Sequence, residues 1–179
     1  MSLSREDAAA ALRDIDAAQA RSATLHGYHR AAPHFLIWGV LWAVGYGLSS
    51  FMPRHAGAIW AVVVPIGFVA GLAAMRGEGR GLGWRYGAAT AAVWAFFLAV
   101  LLVLWPVTDR QVAAFIPLFV ALLYVLGGIW GGARYVAAGV VVAALTLIGF
   151  FLLGQHFLLW MAAVGGGALI LAGVWLRRV

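Results

Sequence analysis

The side chains able to do chemistry in this 179-residue chain are few, and their spacing is poor for catalysis. All six carboxylates, Glu6, Asp7, Asp14, Asp16, Glu78 and Asp109, fall before or between the apolar runs rather than inside them. General acid–base chemistry needs titratable groups converging on one reacting centre. Proton- and cation-coupled carriers need an ionisable group at membrane depth. The sequence offers neither arrangement. The absence of Cys excludes thiolate nucleophiles, thiolate metal sites and disulfides. Ser49 and Ser50 have no Asp/His constellation nearby and read as helix-end hydroxyls. The chain is expected not to be an enzyme.

Three of the five His residues, His26, His29 and His34, cluster before the first long apolar run. The i, i+3 spacing of His26 and His29 would put two imidazoles on one helical face, and neutral imidazole ligates metals and haem. Gly27 between them is expected to break the helix, and no Cys or carboxylate completes a ligand set. No metal and no cofactor is therefore expected. His55 and His156, with Met52, form a still weaker pattern on the opposite side.

The strongest pattern is "PHFLIWGVLWAVGYGLSS" at 33–50, where His34, Trp38, Trp42 and Tyr46 recur every four residues beside Gly39, Ala43 and Gly47. Four residues is about one helical turn, so the two series read as neighbouring stripes roughly 100° apart. Turned inward with Tyr124, the aromatic stripe would line a cavity for a neutral or lipophilic small molecule. The small stripe has the spacing that lets helix backbones approach in lipid, as do Gly67 with Gly71, Gly127 with Gly131 and Gly128 with Gly132. A face left over would suit a homodimer. The three consecutive Gly of "AVGGGALI" at 163 suggest a bend or a close approach.

The elements that must position these residues follow from composition. With 65% hydrophobic and 10% charged residues and a mean hydropathy of +0.97, the chain belongs to the membrane class. Runs long enough to cross a hydrocarbon core of about 30 Å lie near 33–51, 57–75, 86–105, 112–132, 134–153 and 156–176. The breaks "MPRHAG", "RGEGRGLGWR", "PVTDRQ", "GGAR" and "GQH" carry the Pro, Gly and charge of turns. The expected fold is all-α and polytopic, with six transmembrane helices as three hairpins. Matching "RYGAATAAV" at 85 and "RYVAAGVVV" at 134 suggest that the hairpins repeat.

Two regions follow, a cytosolic amphipathic head and linker over 1–32 and a bundle over 33–179. In the head, Ser4 would cap a helix whose first turn carries Glu6 and Asp7 and which Gly27 would end. Its apolar face, Ala8, Ala11, Leu12, Ile15 and Leu25, is too small to anchor in lipid and is expected to dock on the bundle or on a cytosolic protein.

Ten of the twelve Arg lie on one side of the expected spans and only Arg54 and Arg110 on the other. Positive-inside bias then places both termini in the cytoplasm and accounts for the +6 charge without nucleic acid. Trp84, Trp105 and Trp175 fall at span ends, where indole prefers the interface. The all-Arg basic content suits a GC-rich bacterial genome, hence the bacterial inner membrane. Two functions remain open: a module that binds or transports a neutral or hydrophobic small molecule through an aromatic cavity, and a non-transporting scaffold or sensor acting on a cytosolic partner through the N-terminal helix.

Overall fold

The computed structural model describes residues 5–74 and 80–178, with side chains from residue 9 onward except at 80–87 and 90. Ser4, the side chains of Glu6 and Asp7, the "RY" pair at 85, Trp84 and the Thr90 side chain lie outside the described residues. The helices are α1 (Arg5–Phe51), α2 (Ala56–Ala74), α3 (Arg80–Leu104), α4 (Asp109–Gly131), α5 (Ala133–Leu152), α6 (Phe157–Trp160) and α7 (Gly166–Arg177). Short 3-10 turns at Pro53–His55 and Gly154–His156 precede α2 and α6, and a π turn at Met161–Gly165 joins α6 to α7. Among the described residues, five runs, Ala9–Phe51, Pro53–Ala74, Asp109–Gly131, Ala133–Leu152 and Gly154–Arg177, are long and apolar enough to cross a membrane. Within α3 the described apolar stretch, Ala91–Leu104, is shorter.

Gly27 does not end a helix: α1 runs unbroken through it for 47 residues. A helix-ending Gly adopts the left-handed conformation, and Gly27 is not among the glycines with positive φ. A lone Gly inside a helix costs only about 1 kcal/mol. The Ala-rich stretch before it and the packed segment after it outweigh that cost. Nor does the head fold back on the bundle. Residues 9–23 are exposed throughout, with Leu12 at 62% and Ile15 at 52%. The continuous helix restores the shared face of His26 and His29, yet both are exposed, and no group of three His, Cys, Asp or Glu able to hold a metal occurs among the described residues.

The buried line along α1 is Tyr28, Ala32, Phe35, Gly39, Trp42, Tyr46 and Ser49, at alternating intervals of four and three. This corrects the reading of His34, Trp38, Trp42 and Tyr46 as one stripe. Each step of four advances about 40° beyond a full turn, so three steps drift about 120° around the helix. Alternating four and three cancels the drift. Trp42 and Tyr46 are buried in the seam, whereas His34 and Trp38 are only half-buried.

A close backbone contact joins α1 to the antiparallel α7. A Cβ on Gly39 would lie 2.8 Å from the backbone nitrogen of Ile170, and one on Gly166 would lie 2.9 Å from the nitrogen of Ala43 and 2.9 Å from the carbonyl of Gly39. Gly47 meets Ala162 in the π turn, and Gly173 faces Leu36 and the Ala32 carbonyl. Without side chains between them the two backbones come together, which is how helices associate in lipid.

The α4–α5 hairpin closes at one residue. Gly132 has φ 116°, a conformation other residues avoid, and a Cβ there would collide with the Tyr28 hydroxyl. A capping box starts α4: the Thr108 hydroxyl accepts from the Gln111 amide at 3.2 Å, and the Gln111 side-chain oxygen accepts from the Thr108 amide at 2.9 Å. The helices then meet at Gly128 against Val136 and Gly139 against the Ala121 carbonyl. Of the two expected registers, Gly127 with Gly131 and Gly128 with Gly132, the close approach falls on the second. A Cβ on Gly127 would meet nothing within 4 Å, and Gly131 touches only the Tyr135 ring. On α2, Gly67 receives the Trp38 indole and Leu41, and Gly71 is buried.

These contacts separate glycines that serve packing from those that do not. Gly166→Ala is expected to destabilise by about 1–3 kcal/mol because backbone atoms must move. Gly127→Ala should be neutral or stabilising by about 0.5–1 kcal/mol, as expected for Gly replaced inside a helix. Thermal unfolding in detergent checks the pair; equal effects would remove the close approach as the determinant.

Candidate functional site

The site begins with a proline. Pro117 lies inside α4 and is fully buried, and it has no amide to donate to the carbonyl four residues back. That carbonyl belongs to Ala113. In apolar surroundings an unpaired carbonyl is costly, and the chain supplies a partner from α1: the Tyr46 hydroxyl donates to the Ala113 oxygen at 2.8 Å. Tyr46 therefore reaches across to α4 with its ring as a strut. Trp42 abuts it edge-on at 5.9 Å and Trp60 of α2 at 4.9 Å.

Beside this strut, at the end of the bundle remote from both termini, lies a cavity of about 480 Å³. Its walls are aromatic: Tyr46, Trp60, Trp94, Phe97 and Phe157, contributed by α1, α2, α3 and α6. Trp94 packs edge-on to Phe97, and Phe97 meets Phe115 of α4 at 5.7 Å. The polar lining is sparse. Asp109, Arg110 and Gln155 stand at the loops, and Ser49 contributes from α1. Asp109 is in the first turn of α4, where the helix dipole favours a negative charge. The Arg110 guanidinium sits 4.5 Å from the Phe150 ring centre. The formal charges of Asp109 and Arg110 cancel, so no net charge is presented.

One polar atom in this lining lacks a partner. Ser49 is 1% exposed and its hydroxyl makes no hydrogen bond. Leaving such a group unpaired costs about 1–3 kcal/mol. Among the described residues, Trp38 Nε1 is the other buried side-chain polar atom without a bond.

Of the residues expected to line the cavity, only Tyr46 does so. Trp42 backs Tyr46 from behind. Tyr124 stacks on Phe35 at 4.4 Å, deep between α4 and α1. His34 and Trp38 lie together at 6.1 Å, with the Trp38 ring against Gly67. The drift of the four-residue ladder carries them off the cavity side. Thr146 is fully buried but bonds its own helix, donating to the Val142 carbonyl at 2.7 Å. The aromatics missed by the sequence reading, Trp60, Trp94, Phe97 and Phe157, sit on elements whose adjacency no single-chain spacing reveals.

A second constellation stands at the opposite end. The Tyr135 hydroxyl donates to the Gly27 carbonyl at 2.9 Å, and the Tyr28 and Tyr135 rings meet at 5.3 Å. The Arg134 guanidinium lies between the Tyr28 ring, at 5.5 Å, and the Trp175 ring, at 4.6 Å, and donates to the Trp175 carbonyl at 2.8 Å. That carbonyl is in the last turn of α7, where helix carbonyls lack an intrahelical amide donor. Arg134 and Tyr135 thus clamp the hairpin to α1 and α7.

The long apolar helices and the glycine-mediated helix contacts define a helical protein compatible with several membrane spans. No known protein family, curated protein sequence or solved structure matches the chain.

The Pro117 account has a sharp consequence. Tyr46→Phe should destabilise by about 1–3 kcal/mol, the cost of an unpaired buried carbonyl. In the Pro117→Ala background, where residue 117 regains an amide for that carbonyl, the same change should cost markedly less. A double-mutant cycle on thermal or denaturant unfolding measures the coupling; strict additivity would refute it.

Proposed function

We propose that the protein is a small membrane module that binds, and moves across or out of the bilayer, a neutral lipophilic small molecule held in the aromatic cavity beside Tyr46. The observation that carries this reading is a cavity rich in aromatic rings whose lining includes Ser49, a residue with a buried, unpartnered hydroxyl. Ligand sites of this kind combine an apolar lining with a few placed polar groups. A ligand carbonyl, hydroxyl or amide would satisfy Ser49 while its body stacks among Trp60, Trp94 and Phe97. Asp109 and Arg110 cancel at the rim, which favours an uncharged guest, since a buried charge without a partner is costly.

In this proposal α3 forms the sixth span, both termini are cytoplasmic and the cavity opens toward the periplasmic side of a bacterial inner membrane. The Arg distribution supports that orientation. Reporter fusions after Arg54 and Asp109 should be periplasmic and one after Glu78 cytoplasmic; the reverse pattern would overturn the topology.

The scaffold or sensor alternative rests on the exposed segment 9–23 of α1, which presents Leu12 and Ile15 to solvent. The two readings part experimentally. Trp60 and Trp94 make intrinsic fluorescence a direct readout of cavity occupancy in purified protein. A panel of neutral lipophilic compounds should include quenchers, and Ser49→Ala should weaken those bearing a hydrogen-bonding oxygen by about tenfold, the equivalent of about 1.4 kcal/mol. Compounds without such an oxygen should bind Ser49→Ala as well or better. Absence of quenching across the panel, with a cytosolic protein captured only when residues 2–25 are present, would favour the scaffold.

A further inference from the structure

A separate feature lies on the far side of α7. Between α5 and the run from the π turn into α7 there is an open groove of about 620 Å³ with no charged residue in its lining. Its floor is made of small residues, and a Cβ on Gly167 would meet no atom within 4 Å, so the groove is open space rather than a packed seam. This distinguishes Gly167 from Gly166, which is pressed against α1. Along α7 the groove runs from Ala163 to Trp175. At about 1.5 Å per residue that is roughly 18 Å, close to one leaflet of a hydrocarbon core about 30 Å thick. A helix from a second copy would follow the whole span, whereas one acyl chain occupies one leaflet.

The groove ends at Trp175, and there the surface turns basic. Arg134 holds its guanidinium 4.6 Å from the Trp175 ring and uses one nitrogen on the Trp175 carbonyl. A guanidinium carries five N–H donors in a fork suited to phosphate oxygens, so Arg134 retains donors for a ligand. Exposed Arg177 and Arg178 follow at the end of α7. Trp175 belongs at the depth of lipid headgroups.

We propose that this groove holds one acyl chain of an anionic phospholipid, with the lipid phosphate at the corner formed by Arg134, Trp175 and Arg178, which follows Trp175 by three residues and so continues the groove face of α7. The occupant is a lipid rather than a second copy because the groove spans a single leaflet and meets positive charge at the headgroup end. The proposal is independent of the aromatic cavity, which lies at the other end of the bundle.

The test uses the full chain in detergent, titrated with phosphatidylglycerol, phosphatidylcholine or inorganic phosphate, and read by lipid count in native mass spectrometry and by melting temperature. Phosphatidylglycerol should bind in preference to phosphatidylcholine and raise the melting temperature, and inorganic phosphate should not reproduce the effect. Gly167→Leu fills the open groove without touching the α1 contact and should abolish lipid retention; if that variant misfolds, Ala163→Leu, at an exposed position, blocks the same groove. Arg178→Gln should weaken phosphatidylglycerol roughly fivefold, the effect of one basic residue near the membrane surface, and leave phosphatidylcholine unchanged; Arg177→Gln, on the other side of α7, should have a smaller effect. Undiminished phosphatidylglycerol in the blocked variant, equal binding of the two lipids, or full reproduction by phosphate alone would overturn the proposal. A wild-type dimer that becomes monomeric in the blocked variant would assign the groove to a second copy instead.

Discussion

Two helices in hydrocarbon gain little from hiding apolar surface, because lipid is as apolar as they are. Their association depends on how closely the backbones approach. In this chain that constraint falls on Gly39, Ala43 and Gly166, where α1 and α7 leave no room for another carbon. Once this contact is made, the rotation of α1 about its own axis is fixed. The seam of Tyr28, Phe35 and Tyr46 is then turned to reach the α4–α5 hairpin, and large rings span a distance that small residues would leave empty. The buried side of α1 thus combines absence of side chain at Gly39 with excess of it at Phe35 and Tyr46.

The polar groups obey a stricter accounting. Pro117 removes a donor from α4, Tyr46 supplies one from α1, and the end of α7 receives one from Arg134. Trp160 donates its indole N–H to the Leu145 carbonyl at 2.9 Å, lying against Gly149. Against this background two buried polar atoms stand unanswered among the described residues, Trp38 Nε1 and the Ser49 hydroxyl, and of the two residues only Ser49 lines the cavity.

Much of the architecture was legible in the apolar runs and their breaks, because length and hydropathy are properties of the chain itself. The triple Gly at 165 to 167 signalled a special place, and there the π turn ends, Gly166 meets α1 and Gly167 opens onto the groove. The alternating interval from Tyr28 to Ser49 was equally readable, but a ladder of fours in the same segment masked it. The "TDRQ" capping box at 108 to 111 was present in plain letters and passed unread. Other features were not legible at all. Gly127 and Gly128 are neighbours of the same type, and only the docking of α5 decides that the second is buried. Trp60, Trp94, Phe97 and Phe157 become one wall only after separate helices assemble. Gly27 has the residue type of a stop, and continuation of the helix through it depends on the energy of the flanking segments.

The unbroken passage of α1 through Gly27 makes the membrane part and the exposed segment mechanically one body. From Tyr28 back to Arg5 the helix extends about 35 Å at 1.5 Å per residue. A tilt of about 10° in the packed portion would carry the far tip sideways by about 6 Å over that length. Occupancy of the cavity against Tyr46, which lies on the same rod, would therefore be readable as displacement at a distance, with a stiff helix rather than a flexible linker as the arm.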